Sequence, residues 1–218
     1  MLVEEIMHSK IYSVTPCTSI QEALKQMKKH HVRHLPVIDG DQLVGLVTDR
    51  DLRSASPSTL APKELQELLK RPVSEIMVAP AITVHPLDFL EDAARLLYEN
   101  RIGCLPVLKG DRLVGILTET DILHRLMEIF GVNHPSQHVE VEVEDQIGIL
   151  AQVANIFSDH RVNINSVLVE GNPAKGKINL VFRVQAKDLS KIVRDINRAG
   201  HRVLWPQHLS GPNQGEMT

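Results

Sequence analysis

Apolar positions in the first 130 residues follow a helical spacing, then give way to two short apolar runs, and then repeat the same order. Apolar residues three and four positions apart mark one helix stripe in each copy: Ile20, Ala23, Leu24 and Met27, then Leu90, Ala93, Ala94 and Leu97. Two residue pairs with capping-box spacing precede the stripes and predict where these helices begin: Thr18 with Gln21, and Asp88 with Glu91.

Each helix is followed by two apolar runs around a Gly-containing turn, which is the pattern of a β-hairpin. The runs cover residues 35–38 and 43–47, then 105–108 and 113–117. A further helix is predicted to start near Asp51 and near Asp121. Sliding the chain by seventy positions brings residues 3–52 onto 73–122 without a gap, which indicates a duplication. Because one unit cannot cover both faces of its sheet, we expect the two copies to pack face to face.

The pattern changes after residue 136. Alternating valines predict a strand at 138–143, and two helical stripes and three more strands follow in the order βαββαβ, which is ferredoxin-like. The predicted fold class is therefore α+β, with a tandem repeat followed by a ferredoxin-like domain. The predicted limits are 1–60 for the first repeat, 61–133 for a linker helix (Lys63–Lys70) and the second repeat, 137–206 for the third domain, and 207–218 for a disordered tail.

Composition and charge narrow the classes of function. The formal net charge of -3 argues against a nucleic-acid-binding surface. No uncharged apolar run approaches the about 18 residues of a membrane span, and the N-terminus lacks the pattern of a signal peptide. Cys17 and Cys104 fit free thiols in a reducing compartment, although one disulfide between them stays open. We therefore expect a cytoplasmic protein without nucleic-acid or membrane partners.

The strongest chemical signal is a repeated Gly-x-x-Thr-x-x-Asp motif: Gly45, Thr48 and Asp51, then Gly115, Thr118 and Asp121. The preceding strand would place each Thr at the start of a helix, where its hydroxyl can bind a phosphate beside free N–H groups. The Asp one turn later can accept hydrogen bonds from two ribose hydroxyls. A plain helix N-cap would also explain each pair. Two copies in matching positions favour nucleotide binding.

These motifs, with the Val-x-x-Ile-Met starts and the Leu-Pro-Val runs, resemble paired CBS domains (a Bateman module) over residues 1–130. The resemblance implies that the cleft between the repeats binds an adenine nucleotide, such as AMP or ATP, or a related adenosyl compound. This would be a regulatory ligand, and no cofactor is required. In that family the Thr and Asp contact phosphate and ribose, and Arg33 and His34 would meet phosphates, supported by Arg50. The second copy has Gly103, Cys104 and Thr120 in place of Arg33, His34 and Arg50. We therefore expect one better anionic site, in the first copy.

The C-terminal domain resembles an ACT domain in two motif regions, Asp145–Leu150 and Asn163-Ile164. The resemblance implies that such domains pair and bind small effectors, often amino acids, at an interface built from Asp145, Gly148, Asn163 and Ile164. Gly148 would lie at a strand-to-helix turn where a missing side chain allows close approach. A domain used only for dimerisation is the alternative. We expect a homodimer in either case.

The whole order of domains resembles proteins of acetoin utilization, which implies a regulatory role in the use of acetoin or butanediol and a regulated protein partner. Two alternatives remain: a ligand-independent dimerisation scaffold, and an enzyme of acetoin catabolism. No Walker loop, nucleophile elbow or paired His/Cys arrangement is present, so no catalytic residue is predicted. His30 and His34 are four apart, but further ligands with characteristic spacing are missing, so no metal site is predicted.

Overall fold

The computed structural model describes residues 1–56, 63–132, 135–172 and 176–207. The chain forms two compact units, Met1–Leu123 and His124–Thr218, and the domain limits expected from the sequence remain predictions. Parts of the predicted linker (57–62), domain boundary (133–134), turn (173–175) and tail (208–218) lie outside the described residues. No helix in the described ranges has both the length and the apolar character that a membrane crossing requires.

Two halves with the same order of elements make up the first unit, and the last helix of the second half continues past its boundary at Leu123. The helices and strands of the first half are α1 (Ile20–His30), β1 (His34–Asp39), β2 (Gln42–Thr48) and α2 (Asp49–Ser54). Those of the second half are α3 (Leu90–Asn100), β3 (Cys104–Lys109), β4 (Arg112–Thr118) and α4 (Glu119–Ile129). The strands of each half pair antiparallel, so the predicted hairpins are confirmed. The predicted linker helix Lys63–Lys70 is present as a 3-10 helix.

The predicted capping of α1 and α3 is wrong. Ser19 caps α1, while the hydroxyl of Thr18 accepts the Thr15 N–H at 3.1 Å. Asp88 likewise accepts the His85 N–H at 2.7 Å, and α3 begins without a side-chain cap. Short polar side chains bind nearby backbone N–H groups in turns as well as in caps, so the spacing alone could not tell the two apart.

The two halves exchange the segments that precede them. Val3 is fully buried in the core of the second half, and Val73 is fully buried in the core of the first. A backbone bridge at the end of each segment continues the exchange: His8 with Ile116, and Val78 with Leu46. Each half therefore completes its apolar core with residues that belong, along the chain, to the other half.

The glycine of each Gly-x-x-Thr-x-x-Asp motif makes room for a methionine from the exchanged segment. A Cβ atom built on Gly45 would lie 2.7 Å from the Met77 sulfur and 3.0 Å from the Val78 carbonyl oxygen. A Cβ on Gly115 would collide in the same way with the Met7 sulfur. The motif glycines are thus required by packing between the halves.

The second unit has the predicted ferredoxin-like order. Its elements are β5 (Gln137–Glu144), α5 (Ile149–Asp159), β6 (Ile164–Asn172), β7 (Lys177–Val184), α6 (Ser190–Arg198) and β8 (Arg202–Trp205). The sheet is antiparallel in the order β6-β7-β5-β8. The alternating valines of β5 are buried with Phe157 of α5 and Ile192 of α6, so the helices cover one face of the sheet.

We expect Gly45→Ala to lower the free energy of unfolding by about 1–3 kcal/mol, because the added methyl group must displace Met77 or the Val78 backbone. Urea denaturation of the full chain measures this change. The matched control is Gly171→Ala, since a Cβ at Gly171 meets no atom within 4 Å. Equal stability of the two variants would contradict the packing role of the motif glycine.

Candidate functional site

A cleft of about 950 Å³ lies between the halves of the first unit. It is bordered by the end of β2 and the start of α2 on one side and by the end of α3 and the start of β3 on the other. Predicted site residues of the first half that line it are Arg33, His34, Thr48, Arg50 and Asp51. The cleft therefore brings together all five residues that the sequence assigned to the better site.

Thr48 and Asp51 form a capping box at the start of α2. The Asp51 Oδ2 atom accepts the Thr48 N–H at 2.9 Å and the Thr48 hydroxyl at 2.7 Å, and the Thr48 oxygen accepts the Asp51 N–H at 3.2 Å. The capping interpretation is thus observed, and the Thr48 hydroxyl proton is directed to Asp51. The other carboxylate oxygen, Oδ1, has no hydrogen-bond partner among the described residues. It is the acceptor that Asp51 can offer to a ligand.

Thr118 and Asp121 repeat this geometry at the start of α4. The Asp121 Oδ2 atom accepts the Thr118 N–H at 2.8 Å and its hydroxyl at 2.7 Å. Here, however, the Oδ1 atom accepts a hydrogen bond of 2.8 Å from His8 Nε2. The Asp121 side chain is 14% exposed, and that of His8 is 65% exposed. The two motif carboxylates therefore have the same backbone contacts and different availability.

Basic groups reach the cleft from both halves. Arg33 extends across it, and its Nη2 atom donates to the Thr120 hydroxyl at 3.4 Å. Arg50 is an exposed lining residue of the first half. Arg101 lines the cleft from the left-handed position that ends α3. The sequence interpretation missed Arg101, although a basic residue shortly before the Leu-Pro-Val strand was the signal it used for Arg33.

An apolar wall and several carboxylates complete the lining. Val78 and Ile82 are 53% and 38% exposed, which leaves apolar surface open on the cleft. The sequence interpretation missed both because they belong to the exchanged segment, far along the chain from β2. Of the carboxylates, Asp49 forms an ion pair of 2.8 Å with Arg53, which leaves it less able to repel an anion.

His34 is held uncharged by its surroundings. Burial is the main cause that lowers the pKa of its imidazole, the Arg33 charge lowers it further, and Asp51 partly offsets both. Its Nε2 atom would lie 3.0 Å from a Cβ on Gly103, so the imidazole packs directly against the glycine of the other half. The missing side chain at position 103 thus provides space for His34.

Cys104 lies at the position of the second half that matches His34, and it is not a reactive thiol. Burial, with a smaller effect from the Glu119 charge, raises its pKa to about 12, so the sulfur stays protonated at neutral pH. Cys104 and Cys17 are both free.

The spaced histidines His30 and His34 have separate roles. His30 stacks on the Tyr12 ring with the centroids 3.8 Å apart, whereas His34 lines the cleft. Within the described ranges, no group of three or more His, Cys, Asp or Glu side chains is arranged to hold a metal ion.

The predicted ACT residues lie at opposite ends of the second unit's sheet. Asp145 and Gly148 follow the end of β5 that pairs with Lys177, while Ile164 pairs with Val184 at the other end. Seven residue steps of about 3.4 Å along β5 separate these ends by roughly 24 Å. Asp145 and Gly148 therefore do not form a single site with Asn163 and Ile164 within one chain. Gly148 has a φ of 84°, the left-handed conformation that glycine adopts without strain.

Sequence profiles of two domain families match the chain: the CBS domain at 3–58 and 73–128, and the ACT domain at 138–201. Many solved structures are similar to it, including the following three. A candidate acetoin utilization protein (AcuB) from Vibrio cholerae is 28% identical, with 63% of this chain and 98% of that one covered and a TM-score of 0.52. CBSX2 of Arabidopsis thaliana in complex with AMP is 33% identical, with 59% and 97% covered and a TM-score of 0.51.

The third structure is the CBS domain pair of protein MJ0100 in complex with 5′-methylthioadenosine and S-adenosyl-L-methionine. It is 31% identical, with 62% of this chain and 98% of that one covered and a TM-score of 0.51. Each of the three alignments leaves more than a third of this chain unmatched.

We expect the folded protein to lose stability as the pH falls, and His34 to contribute to this loss. Because the folded-state pKa of His34 is lowered, the unfolded chain binds the proton more readily once the pH drops through the ordinary histidine value of about 6.5. Urea denaturation at pH 7.5 and 5.5 should therefore show a smaller loss for His34→Asn than for the parent chain. His31→Asn, at an exposed histidine in the left-handed conformation that asparagine tolerates, is the control and should leave the loss unchanged. An equal loss in His34→Asn and the parent chain would contradict this account.

Proposed function

The chain belongs to the CBS-domain family, with an ACT domain after its CBS pair, and we propose that it is a regulatory protein whose CBS pair senses an adenine nucleotide or a related adenosyl compound. The observation that carries this proposal is the cleft at Asp51. There a carboxylate oxygen without a hydrogen-bond partner among the described residues, basic side chains from both halves and an open apolar wall face one space of about 950 Å³. That volume is within the range of about 300–1,000 Å³ typical of small-molecule sites.

The lining divides into three chemical parts that match the three parts of a nucleotide. Asp51 Oδ1 can accept hydrogen bonds from the ribose hydroxyls, as acidic residues do in dinucleotide-binding folds. The guanidinium groups of Arg33, Arg50 and Arg101 can bind phosphate oxygens, for which their planar donor geometry is suited. Val78 and Ile82 supply apolar surface for the base. The predicted roles of Arg33, Arg50 and Asp51 are thus combined with three residues that the sequence did not indicate.

The relatives support the class of ligand. CBSX2 holds AMP, and the MJ0100 pair holds 5′-methylthioadenosine and S-adenosyl-L-methionine. All three ligands share an adenosyl group, and only AMP carries a phosphate. Three arginines and four acidic residues line the cleft, and one of the acidic residues, Asp49, is paired with Arg53. Because guanidinium groups from both halves can bind phosphate oxygens, we propose a phosphorylated ligand such as AMP or ATP rather than the cationic S-adenosyl-L-methionine.

The proposed output is regulation of a protein partner in the use of acetoin or butanediol. Its support is the likeness to AcuB, which is 28% identical and matches 63% of this chain. A ligand-independent scaffold and an enzyme of acetoin catabolism are the competing functions. Binding measurements separate the scaffold from the sensor, and turnover of acetoin by the purified chain would identify the enzyme.

We also propose that the chain is a homodimer, joined through its ACT domains. Strand β6 lies at the edge of the sheet formed by the described residues, where a second strand could pair with it, and Val167 and Val169 on it are 36% and 55% exposed. An effector bound by Asp145 or Gly148 together with Asn163 would need residues from two chains, since these lie at opposite ends of one sheet.

We expect isothermal titration calorimetry to detect AMP binding to the full chain, and Asp51→Asn to weaken it by about 10–100-fold. The substitution replaces a charged acceptor with a neutral one of the same shape, and hydrogen bonds to charged groups contribute about 1.5–3 kcal/mol. Asp111→Asn, in the exposed turn between β3 and β4, is the control and should bind normally.

Binding of AMP should also raise the free energy of unfolding, by about 2.7 kcal/mol when the AMP concentration is one hundred times the dissociation constant. A thermal-shift assay detects this stabilisation. Failure of AMP, ADP, ATP, NAD(H) and S-adenosylmethionine to bind the parent chain would refute the sensor. Unaltered AMP affinity in Asp51→Asn would refute the proposed site.

We expect Val169→Lys to convert the homodimer to a monomer at micromolar concentration, because a charged side chain on an edge strand opposes pairing with a second strand. Sedimentation velocity measures the change. Gln42→Lys, at an exposed position of β2 in the first unit, should remain dimeric. A monomeric parent chain would contradict the homodimer, and a dimeric Val169→Lys would contradict its proposed interface.

A further inference from the structure

We infer that His8, supported by Tyr12, closes the second of the two pseudo-equivalent binding positions, so that each chain holds one nucleotide, at Asp51. This inference rests on the proposed function and specifies how many ligands the CBS pair takes. It also assigns a role to residues of the exchanged N-terminal segment that neither motif contains.

His8 and Val78 occupy the same place in the two halves. They are seventy positions apart, and each exchanges two backbone hydrogen bonds with the strand that carries the motif glycine. His8 does so with Ile116 at 2.9 and 3.0 Å, and Val78 does so with Leu46 at 2.9 and 3.0 Å. The backbone therefore presents the two side chains to equivalent sites, and only the side chains differ.

This difference decides which motif carboxylate is available. The His8 imidazole donates to Asp121 Oδ1 at 2.8 Å, the atom whose counterpart in Asp51 has no partner among the described residues. A ribose could reach Asp121 only by displacing the imidazole. Val78 has no polar side-chain atom, so it leaves Asp51 open.

The apolar wall of the second position is also occupied. Tyr12 is the counterpart of Ile82, and its ring stacks on His30 with centroids 3.8 Å apart and planes 17° apart. Ile82, in contrast, is 38% exposed and lines the open cleft. The surface that would receive a base in the second position is therefore covered by the chain's own aromatic rings.

No single one of these contacts suffices. The hydrogen bond between Asp121 and His8, whose side chain is 65% exposed, contributes only up to a few-fold in binding. Closure results from three features together: the occupied carboxylate, the stacked rings, and the lack of basic side chains at Gly103, Cys104 and Thr120, the positions that match Arg33, His34 and Arg50.

The test measures the stoichiometry and affinity of AMP by calorimetry on the full chain and on variants that swap the two sides. The parent chain should bind one equivalent, and Asp121→Asn should bind the same equivalent with affinity within about twofold. Val78→His should place an imidazole beside Asp51 and weaken binding at least tenfold. Val78→Ala removes apolar surface without adding an imidazole, and should lose at least fivefold less affinity than Val78→His.

The reverse swap opens the second position. The double variant His8→Val/Tyr12→Ile carries the side-chain pattern of the open half, and should bind a second, weaker equivalent of adenosine in equilibrium dialysis. Adenosine is the probe because it does not require the arginines that the second position lacks. Adding Asp121→Asn to the double variant should remove the second equivalent and keep the first. Thermal unfolding of every variant verifies that it is folded.

Three results would overturn the inference while leaving the proposed function intact. In the first, the parent chain binds two equivalents of AMP and Asp121→Asn removes one of them. In the second, a folded Val78→His variant binds AMP with the same affinity as Val78→Ala. In the third, the double variant binds no second equivalent of adenosine. If Val78→His does not fold, the double variant alone decides. A parent chain that binds no adenosyl ligand at all would overturn the inference and the proposed function together.

Discussion

The exchange of apolar side chains between the two halves of the CBS pair is the interaction on which the site depends. Val3 is buried in the core of the second half, and Val73 is buried in the core of the first. Full burial of such a side chain contributes about 1.5–3 kcal/mol of transfer free energy. The same exchange presses Met7 and Met77 against the motif glycines. Since each segment continues into a binding position, core packing and ligand contact are specified by the same stretch of chain.

The repeated Thr–Asp pair has a structural and a chemical role at once. Capping α2 uses one oxygen of Asp51, and a cap of this kind contributes about 0.5–2 kcal/mol to stability. The cap holds the carboxylate in one orientation, so the second oxygen is positioned before any ligand arrives. This explains why the capping and the nucleotide interpretations of the motif are compatible.

One duplication thus produced two equivalent backbones with unequal chemistry. Arg33 and His34 belong to the first half, whereas the second half has Gly103 and Cys104 in their places. The glycine is part of the same arrangement, because its missing side chain leaves room for the His34 imidazole. The site in the first half therefore depends on a glycine in the second half. This arrangement favours a single ligand that contacts both halves.

The sequence by itself determined the duplication, the hairpins and the ferredoxin-like order of the ACT domain, because periodicity and local motifs act over a few neighbouring positions. The repeated motif also indicated Thr48 and Asp51 as cleft residues, whereas Arg33, His34 and Arg50 followed from the resemblance to CBS domains. It misplaced the caps at Thr18 and Asp88, since turns and caps use the same side-chain chemistry. Only the tertiary structure decided that Arg101 joins the first-half arginines and that position 8 faces Asp121. Periodicity shows which face of an element is buried, but it carries no information about which distant segment covers that face.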